Sequence, residues 1–406
     1  MNKKIKTSFL KLFFGIICCF IVINCSWAAG IENNTSSVSD NKSQKTFELP
    51  SKIHKDGEGF YYIGKMLTPR YYHSAALLQD GRIFIVGGLD KKDYILKSTE
   101  IFNPKTGKSV KGPDLPYQGF FISTKLLSNG NVLLVGGWYN NDNRVSVYIP
   151  KENKIIEVNG TLSGKINKKA VIEEISDSKI FIGDGRFISS RLGVDIYNQK
   201  INQLSICHLE SQLHAPFDYY IGNIDDKLYF LSIGLYPKKY HELVLNILET
   251  IDNGINKYSV KSASYGLDMN AHYNDISRAI LLKDKKTLFI YNALNDVYVL
   301  FDTRTETFKK LKLKTKVNTI HKLTLLENGN IIFFNYSNEP IKIIELNPYT
   351  GLGEIKPYKS PNNPTSASVL RTDGGDLLYI GGANPYEFYH NVSDKIYVWK
   401  TKKENN

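Results

Sequence analysis

Short apolar runs, each bounded by a tight-turn dipeptide, set the pattern of this chain. The clearest unit runs from Met66 to Pro116. An apolar run at Ala75 to Leu78 meets Asp80-Gly81, and a second run, Ile83 to Val86, ends on Gly87-Gly88. A polar loop follows, then a third run around Ile101-Phe102, a turn from Pro104 to Gly107 and a fourth short run starting at Val110. Runs rich in β-branched and aromatic residues, separated by Asp, Asn, Gly and Pro, predict a four-stranded antiparallel meander. A single meander has two open edges and too little core to stand alone, so the unit is expected to recur.

The first hairpin turn returns at Asn129-Gly130, Asp177-Ser178, Asp225-Asp226, Asp284-Lys285, Asn328-Gly329 and Asp373-Gly374. Counted from Asp80, the steps are 49, 48, 48, 59, 44 and 45 residues. Each turn leads into an apolar run, from Ile83–Val86 in the first unit to Leu377–Ile380 in the seventh. Diglycine closes that run at Gly87-Gly88, Gly136-Gly137 and Gly381-Gly382; Gly183 with Gly185, then Gly234, keep part of it. Asn292 and Asn335 stand at this place in the fifth and sixth units. Self-similarity at a long fixed period marks a repeat architecture.

On His73-Ser74, Asp80-Gly81, Gly87-Gly88, Thr99 to Pro104 and the Asp114-Leu115-Pro116 tail, the chain resembles the kelch repeat over residues 58 to 400. The first, second and seventh units match well. The middle four are degenerate, and the tryptophan usual in the family's outermost strand is missing. The resemblance implies an all-β fold: a seven-bladed kelch-like β-propeller with four antiparallel strands per blade. The seventh unit offers strands near Ala367–Leu370, Leu377–Ile380 and Ile396–Trp399, after which the chain ends. One repeat step places Tyr61–Ile63 on Val110–Gly112, so the N-terminal strand is expected to complete the last blade and close the ring. The long step of 59 residues puts extra chain at Tyr236 to Asp275. Such an insertion is expected in a loop on one face, often a binding face.

The N-terminus reads as a targeting segment. Lys3, Lys4 and Lys6 precede the apolar stretch Phe9–Ile23, and Ser26-Trp27-Ala28 supplies small residues at a cleavage site. A signal peptide at residues 1–28, cut after Ala28, is therefore expected, with export to the periplasm or beyond. The alternatives are an uncleaved anchor and a lipoprotein through Cys25, against which Asn24 places a non-small residue before the cysteine. Residues 29–57 read as a flexible leader, 58–401 as the propeller and 402–406 as a tail.

Composition narrows the function classes. The chain has 406 residues, 42% hydrophobic and 12% aromatic, with 26 Tyr and 20 Phe against three Trp and three Met, a strand-rich profile. Setting aside Lys3, Lys4, Lys6 and Lys11 lowers the formal charge from +12 to +8. The remaining lysines are scattered and not interleaved with aromatics, which argues against a nucleic-acid partner. Cys18, Cys19 and Cys25 fall in the targeting segment, so Cys207 is left alone and no intrachain disulfide is expected; it reads as a small buried hydrophobe.

Two candidate sites follow from the blade layout. The loops between second and third strands, and between blades, emerge on one face. They carry Trp138, Tyr139, Arg144, Arg191, Tyr386, Tyr389 and His390, aromatic and polar groups suited to a glycan or protein ligand. The second is the channel mouth at the start of each innermost strand, where repeat spacing brings Arg70, His73, Asp218 and His321 to equivalent places. In kelch units the His-Ser pair at this place supports packing. No fixed-spacing metal motif, phosphate loop or Ser/His/Asp pattern is present, so no metal and no cofactor are expected. Galactose-oxidase-like relatives of the repeat hold copper with two Tyr and two His and crosslink a Cys to one Tyr. Cys207 falls on the outermost strand of the third unit, the wrong layer for that site. The chain is thus expected to be a monomeric, non-enzymatic recognition module without a membrane span after cleavage. The alternative is a periplasmic carbohydrate isomerase or mutarotase of the sialic-acid mutarotase type, acting at the channel mouth.

Overall fold

The structure, a computed structural model, describes residues 48–49, 54–55, 59–137, 143–162, 170–176, 178–183, 192–209, 219–224, 227–235, 241–251, 254–267, 277–292, 297–311, 322–326, 328–335, 342–356, 367–372, 376–383 and 392–400. All fall within the compact unit Gln44–Asn406. They are strands and turns, and among them no helix is long and apolar enough to cross a membrane.

The strands form seven antiparallel sheets. The first holds Ser74–Leu77, Ile83–Val86, Thr99–Asn103 and Lys108–Lys111, in that order. The second repeats it with Ser123–Leu126, Val132–Val135, Val145–Ile149 and Lys154–Glu157. The next four sheets begin at Val171, Tyr219, Ser277 and Lys322 and keep the same strand order. In the seventh, Ser368–Arg371, Leu377–Ile380 and Lys395–Trp399 are followed not by a later strand but by Phe60–Lys65. Tyr61 pairs with Val398 and Phe60 with Trp399, so the N-terminal strand lies where the repeat step puts it.

Burial follows position in the sheet. The second strands Ile83–Val86, Val132–Val135 and Leu377–Ile380 are buried along their whole length, because neighbouring sheets cover both faces. The outer strand Lys108–Lys111 is mostly exposed and carries lysine at both ends, which discourages pairing with another chain. The core is a series of sandwiches between sheets. Phe84 and Val86 of the first meet Val132 and Leu134 of the second. Leu133 and Val135 on the other side of the second meet Ile180 and Ile182 of the third. The last sheet's Leu378, Ile380 and Val398 pack on Ala75, Ile83 and Ile85, bringing first and last sheets together.

The segment before Phe60 contributes a short fifth strand, His54–Lys55, paired with Tyr62 and Tyr61 at the outer edge of the last sheet. Leu49 of the same segment packs against the core shared by the last and first sheets, and Glu48 pairs with Lys105 at 2.7 Å. The extra chain after Tyr236 goes largely into strands rather than a loop. His241–Ile251 and Gly254–Leu267, of 11 and 14 residues, form a long hairpin in the fourth sheet, with register shifts after Leu245 and Glu249. The apolar runs Leu243-Val244-Leu245 and Ile247-Leu248 let the added chain extend an existing ladder.

Diglycine marks close approach between sheets. A Cβ on Gly381, at φ 58°, would lie 2.6 Å from Met66 Cε, 2.8 Å from the Arg70 carbonyl and 3.0 Å from His73 Cε1, all of the next sheet's approach. The following N–H, of Gly382, donates to the Arg70 carbonyl at 3.1 Å; Gly88 does the same to Gly119 at 2.9 Å, one repeat later.

Candidate functional site

Residues 66–73 lead from the last sheet into the first strand of the first sheet, and they place Arg70 and His73. Arg70 is fully buried. Its Nη1 donates to the carbonyls of Gly87 at 2.9 Å and Ser98 at 3.0 Å. Nη2 donates to Glu100 Oε1 at 2.6 Å and Ser98 Oγ at 3.3 Å, and Nε reaches the Thr68 carbonyl at 3.5 Å. Burial lowers the guanidinium pKa, and the charge and hydrogen bond of Glu100 oppose it. Glu100 also accepts from the N–H groups of Leu67 and Thr68. The donors expected at a channel mouth are thus spent inside the protein, and Arg70 is a brace. His73 is 4% exposed, and its carbonyl accepts from Ser368 Oγ of the last sheet at 2.8 Å. Ser74 Oγ lies 3.0 Å from Thr124 Oγ1 of the second sheet. The His-Ser pair therefore ties three sheets together, as the kelch resemblance implies. Asp218 and His321, the other members of that expected set, lie outside the described residues.

What the same segment does present is a row of aromatic rings. Tyr71 and Tyr72 have ring centroids 4.9 Å apart, Tyr72 and Phe121 4.5 Å, and Phe121 and Phe120 5.3 Å. All four are partly exposed. They sit just before the first strands of the first and second sheets, which lie against each other. The row therefore spans a sheet boundary on the loop face. At one end the Tyr71 hydroxyl donates a short hydrogen bond to Asp93 Oδ1, on the loop between second and third strands. Tyr72, Phe121 and Asp93 have φ of 51°, 57° and 62°. The other non-glycine residues with positive φ among the described residues, Asn153, Asn202, Lys285 and Glu306, occupy hairpin turns. Left-handed backbone at bulky aromatic residues is strained and is kept only where the surroundings impose it.

Sequence reasoning passed over these four rings. The available signal was the doublets Tyr71-Tyr72 and Phe120-Phe121, 49 residues apart, the same step as the first two hairpin turns.

Of the expected loop-face residues, only Arg144 is described. It is exposed, its guanidinium carbon stands 4.4 Å from the centre of the Tyr117 ring, and Nη1 lies 3.6 Å from Glu157. Trp138, Tyr139, Arg191, Tyr386, Tyr389 and His390 lie outside the described residues. Cys207 is on Gln203–Leu209, the edge strand of the third sheet, paired with Val194. That is the layer expected for it, remote from the first strands. No group of three or more His, Cys, Asp or Glu placed to hold a metal occurs among the described residues.

The Kelch motif family matches residues 69–116, the segment that carries Arg70, Tyr71, Tyr72, Asp93 and Glu100. Comparison with curated proteins gave no match. Among solved structures, the chain is similar to a fungal alcohol oxidase of the AA5 family in complex with copper, with TM-score 0.57 and 14% identity, covering 86% of this chain and 76% of that one. It is similar to a streptogramin B lyase at TM-score 0.51 and 12% identity, over 84% of this chain and 96% of that one. A selenomethionine-substituted virginiamycin B lyase from Staphylococcus aureus matches at TM-score 0.51 and 13% identity, over 86% and 98%. At such identities the likeness is one of fold. Antiparallel sheets of repeated strand order and similar solved structures over most of the chain support a β-propeller-type fold, and residues 69–116 carry a Kelch motif.

Proposed function

We propose that the protein is an exported, monomeric recognition module that binds a glycan or protein ligand on its loop face and performs no chemistry. The observation that carries this reading is the aromatic row Tyr71–Tyr72–Phe121–Phe120, partly exposed and held by strained backbone where two sheets meet. Rings with polar tips at a sheet boundary suit binding. Export rests on the basic and apolar N-terminal segment and the Ser26-Trp27-Ala28 site. The isomerase alternative loses support, because the buried Arg70 guanidinium is already occupied by Gly87, Ser98 and Glu100.

The test is a combined glycan and peptide array probed with the intact protein, followed by Trp138→Ala and Tyr389→Ala. A bound ligand class whose signal falls in these loop variants is expected. An array with no ligand, or an NMR assay in which the protein accelerates sialic-acid anomerisation, would overturn the reading.

A further inference from the structure

We propose that the row Tyr71–Tyr72–Phe121–Phe120 is the shelf for a neutral glycan, its ring faces stacking on sugar rings and Asp93 accepting a sugar hydroxyl. This deepens the recognition reading and rests on it.

Three observations favour a sugar over an extended peptide. First, the main chain framing the row is paired internally. Tyr71 and Leu89 exchange both hydrogen bonds, at 3.0 and 2.8 Å. Phe121 N–H donates to the Tyr72 carbonyl at 2.9 Å, and Gly88 N–H to Gly119 at 2.9 Å. The Gly88 carbonyl accepts from Leu96 at 2.9 Å. With these groups already paired, a peptide strand laid here meets no continuous ladder among the described residues, and strand addition is disfavoured. Recognition has to come from side chains, and the side chains supply ring faces and a carboxylate. The apolar face and outward hydroxyls of a sugar match that pair of chemistries.

Second, the rings are placed at a backbone cost. Tyr72 and Phe121 occupy equivalent positions in consecutive repeats and both hold left-handed φ. Asn153 and Asn202 reach the same region in hairpin turns, where it is common; the aromatic pair reaches it in the segments leading into first strands. Strain concentrated at side chains that meet across a sheet boundary marks a ligand clamp.

Third, the charge at the end of the row selects against acids. Asp93 is bonded to Tyr71, and Asp90 lies on the same loop, its Oδ1 held by the N–H groups of Lys92 and Tyr94. Lys91 and Lys92 are exposed on that loop. Among the described residues, the charged group bonded to the row is the Asp93 carboxylate, so a neutral sugar is preferred to a sialylated one.

The experiment is calorimetric titration of the intact protein with cellohexaose, xylohexaose and chitohexaose, and with sialyllactose as the acidic arm. The decisive variants are Tyr72→Gly and Phe121→Gly. Glycine removes the ring and relieves the left-handed strain, so folding is retained and is checked by thermal melting. Binding of at least one neutral oligosaccharide is expected, weakened by about tenfold or more in each glycine variant. Tyr71→Phe, which keeps the ring and loses the bond to Asp93, is expected to weaken it less. Affinity unchanged in both glycine variants would overturn the shelf while leaving loop-face recognition in place. Tightest binding of sialyllactose, or peptide binding lost in the glycine variants, would overturn the neutral-glycan assignment. A wild-type protein that binds neither glycan nor peptide removes the recognition reading itself.

Discussion

Arg70 Nη2 lies 2.6 Å from Glu100 Oε1, with both side chains withdrawn from solvent. Through Leu67 and Thr68, the same Glu100 holds the segment arriving from the last sheet. Removing one member of a buried pair strands the other charge, whereas removing both is far less costly. Arg70→Met or Glu100→Ala is expected to lower the unfolding free energy by about 3–5 kcal/mol. Arg70→Met combined with Glu100→Leu is expected to recover part of that loss. Urea denaturation of the singles and the double reads the coupling, and strictly additive losses would show that the side chains act independently.

Gly381 and Gly329 both have positive φ, 58° and 86°. A Cβ on Gly329 meets nothing within 4 Å, whereas on Gly381 it runs into Met66 and the Arg70 carbonyl. Gly329→Ala therefore carries backbone strain alone, about 1–2 kcal/mol. Gly381→Ala adds a clash with backbone of the neighbouring sheet and is expected to cost clearly more. Equal melting shifts in the two variants would mean that the diglycine is not a packing requirement.

Phe60 is 1% exposed and meets Tyr379 edge-on at 5.2 Å, with Trp399 at 6.4 Å. It anchors the N-terminal strand beside the C-terminal one. Phe60→Ala is expected to cost about 3–5 kcal/mol, as a cavity in a packed core does. Deleting residues through Lys65 strips the partner from Lys395–Trp399 and is expected to abolish cooperative melting. A deletion variant that melts like the wild type would contradict a ring completed by its N-terminal strand.

Burial pushes the Tyr197 hydroxyl from 10.0 to about 12, while it donates to Asn202 Oδ1 at 3.1 Å. The folded protein then holds this proton more tightly than the unfolded chain. Its contribution is complete below the unfolded value of 10.0 and is lost as pH rises towards 12. Tyr197→Phe removes that loss, so the stability gap between wild type and variant is expected to narrow as pH is raised through this window. Stability curves that stay parallel across it would contradict the assignment.

Four of the hairpin turns show why they are legible in the sequence: one side chain does the same work in each. Asp80, Asn129, Asp284 and Asn328 all accept the N–H two residues on, at 2.9–3.0 Å. The apolar second strands are legible because burial on both faces demands an unbroken run. The fate of Arg70 is not, since nothing local reveals that Glu100, 30 residues on, will close on it. An arginine beside a strand start reads as available until its partner is known. The fourth sheet's long hairpin is equally hidden, because an apolar insertion fits a loop count as well as a ladder. Tyr72 and Phe121 become visible as a pair only when the repeats are laid side by side, and their left-handed backbone leaves no mark in residue type.

A crystal structure of the intact protein soaked with the tightest-binding neutral oligosaccharide places the ligand directly. The expected result is a sugar ring against Tyr72 and Phe121, with a hydroxyl within hydrogen-bond distance of Asp93. Ligand density confined to the outer strands, with the row uncovered, would contradict recognition by the loop face.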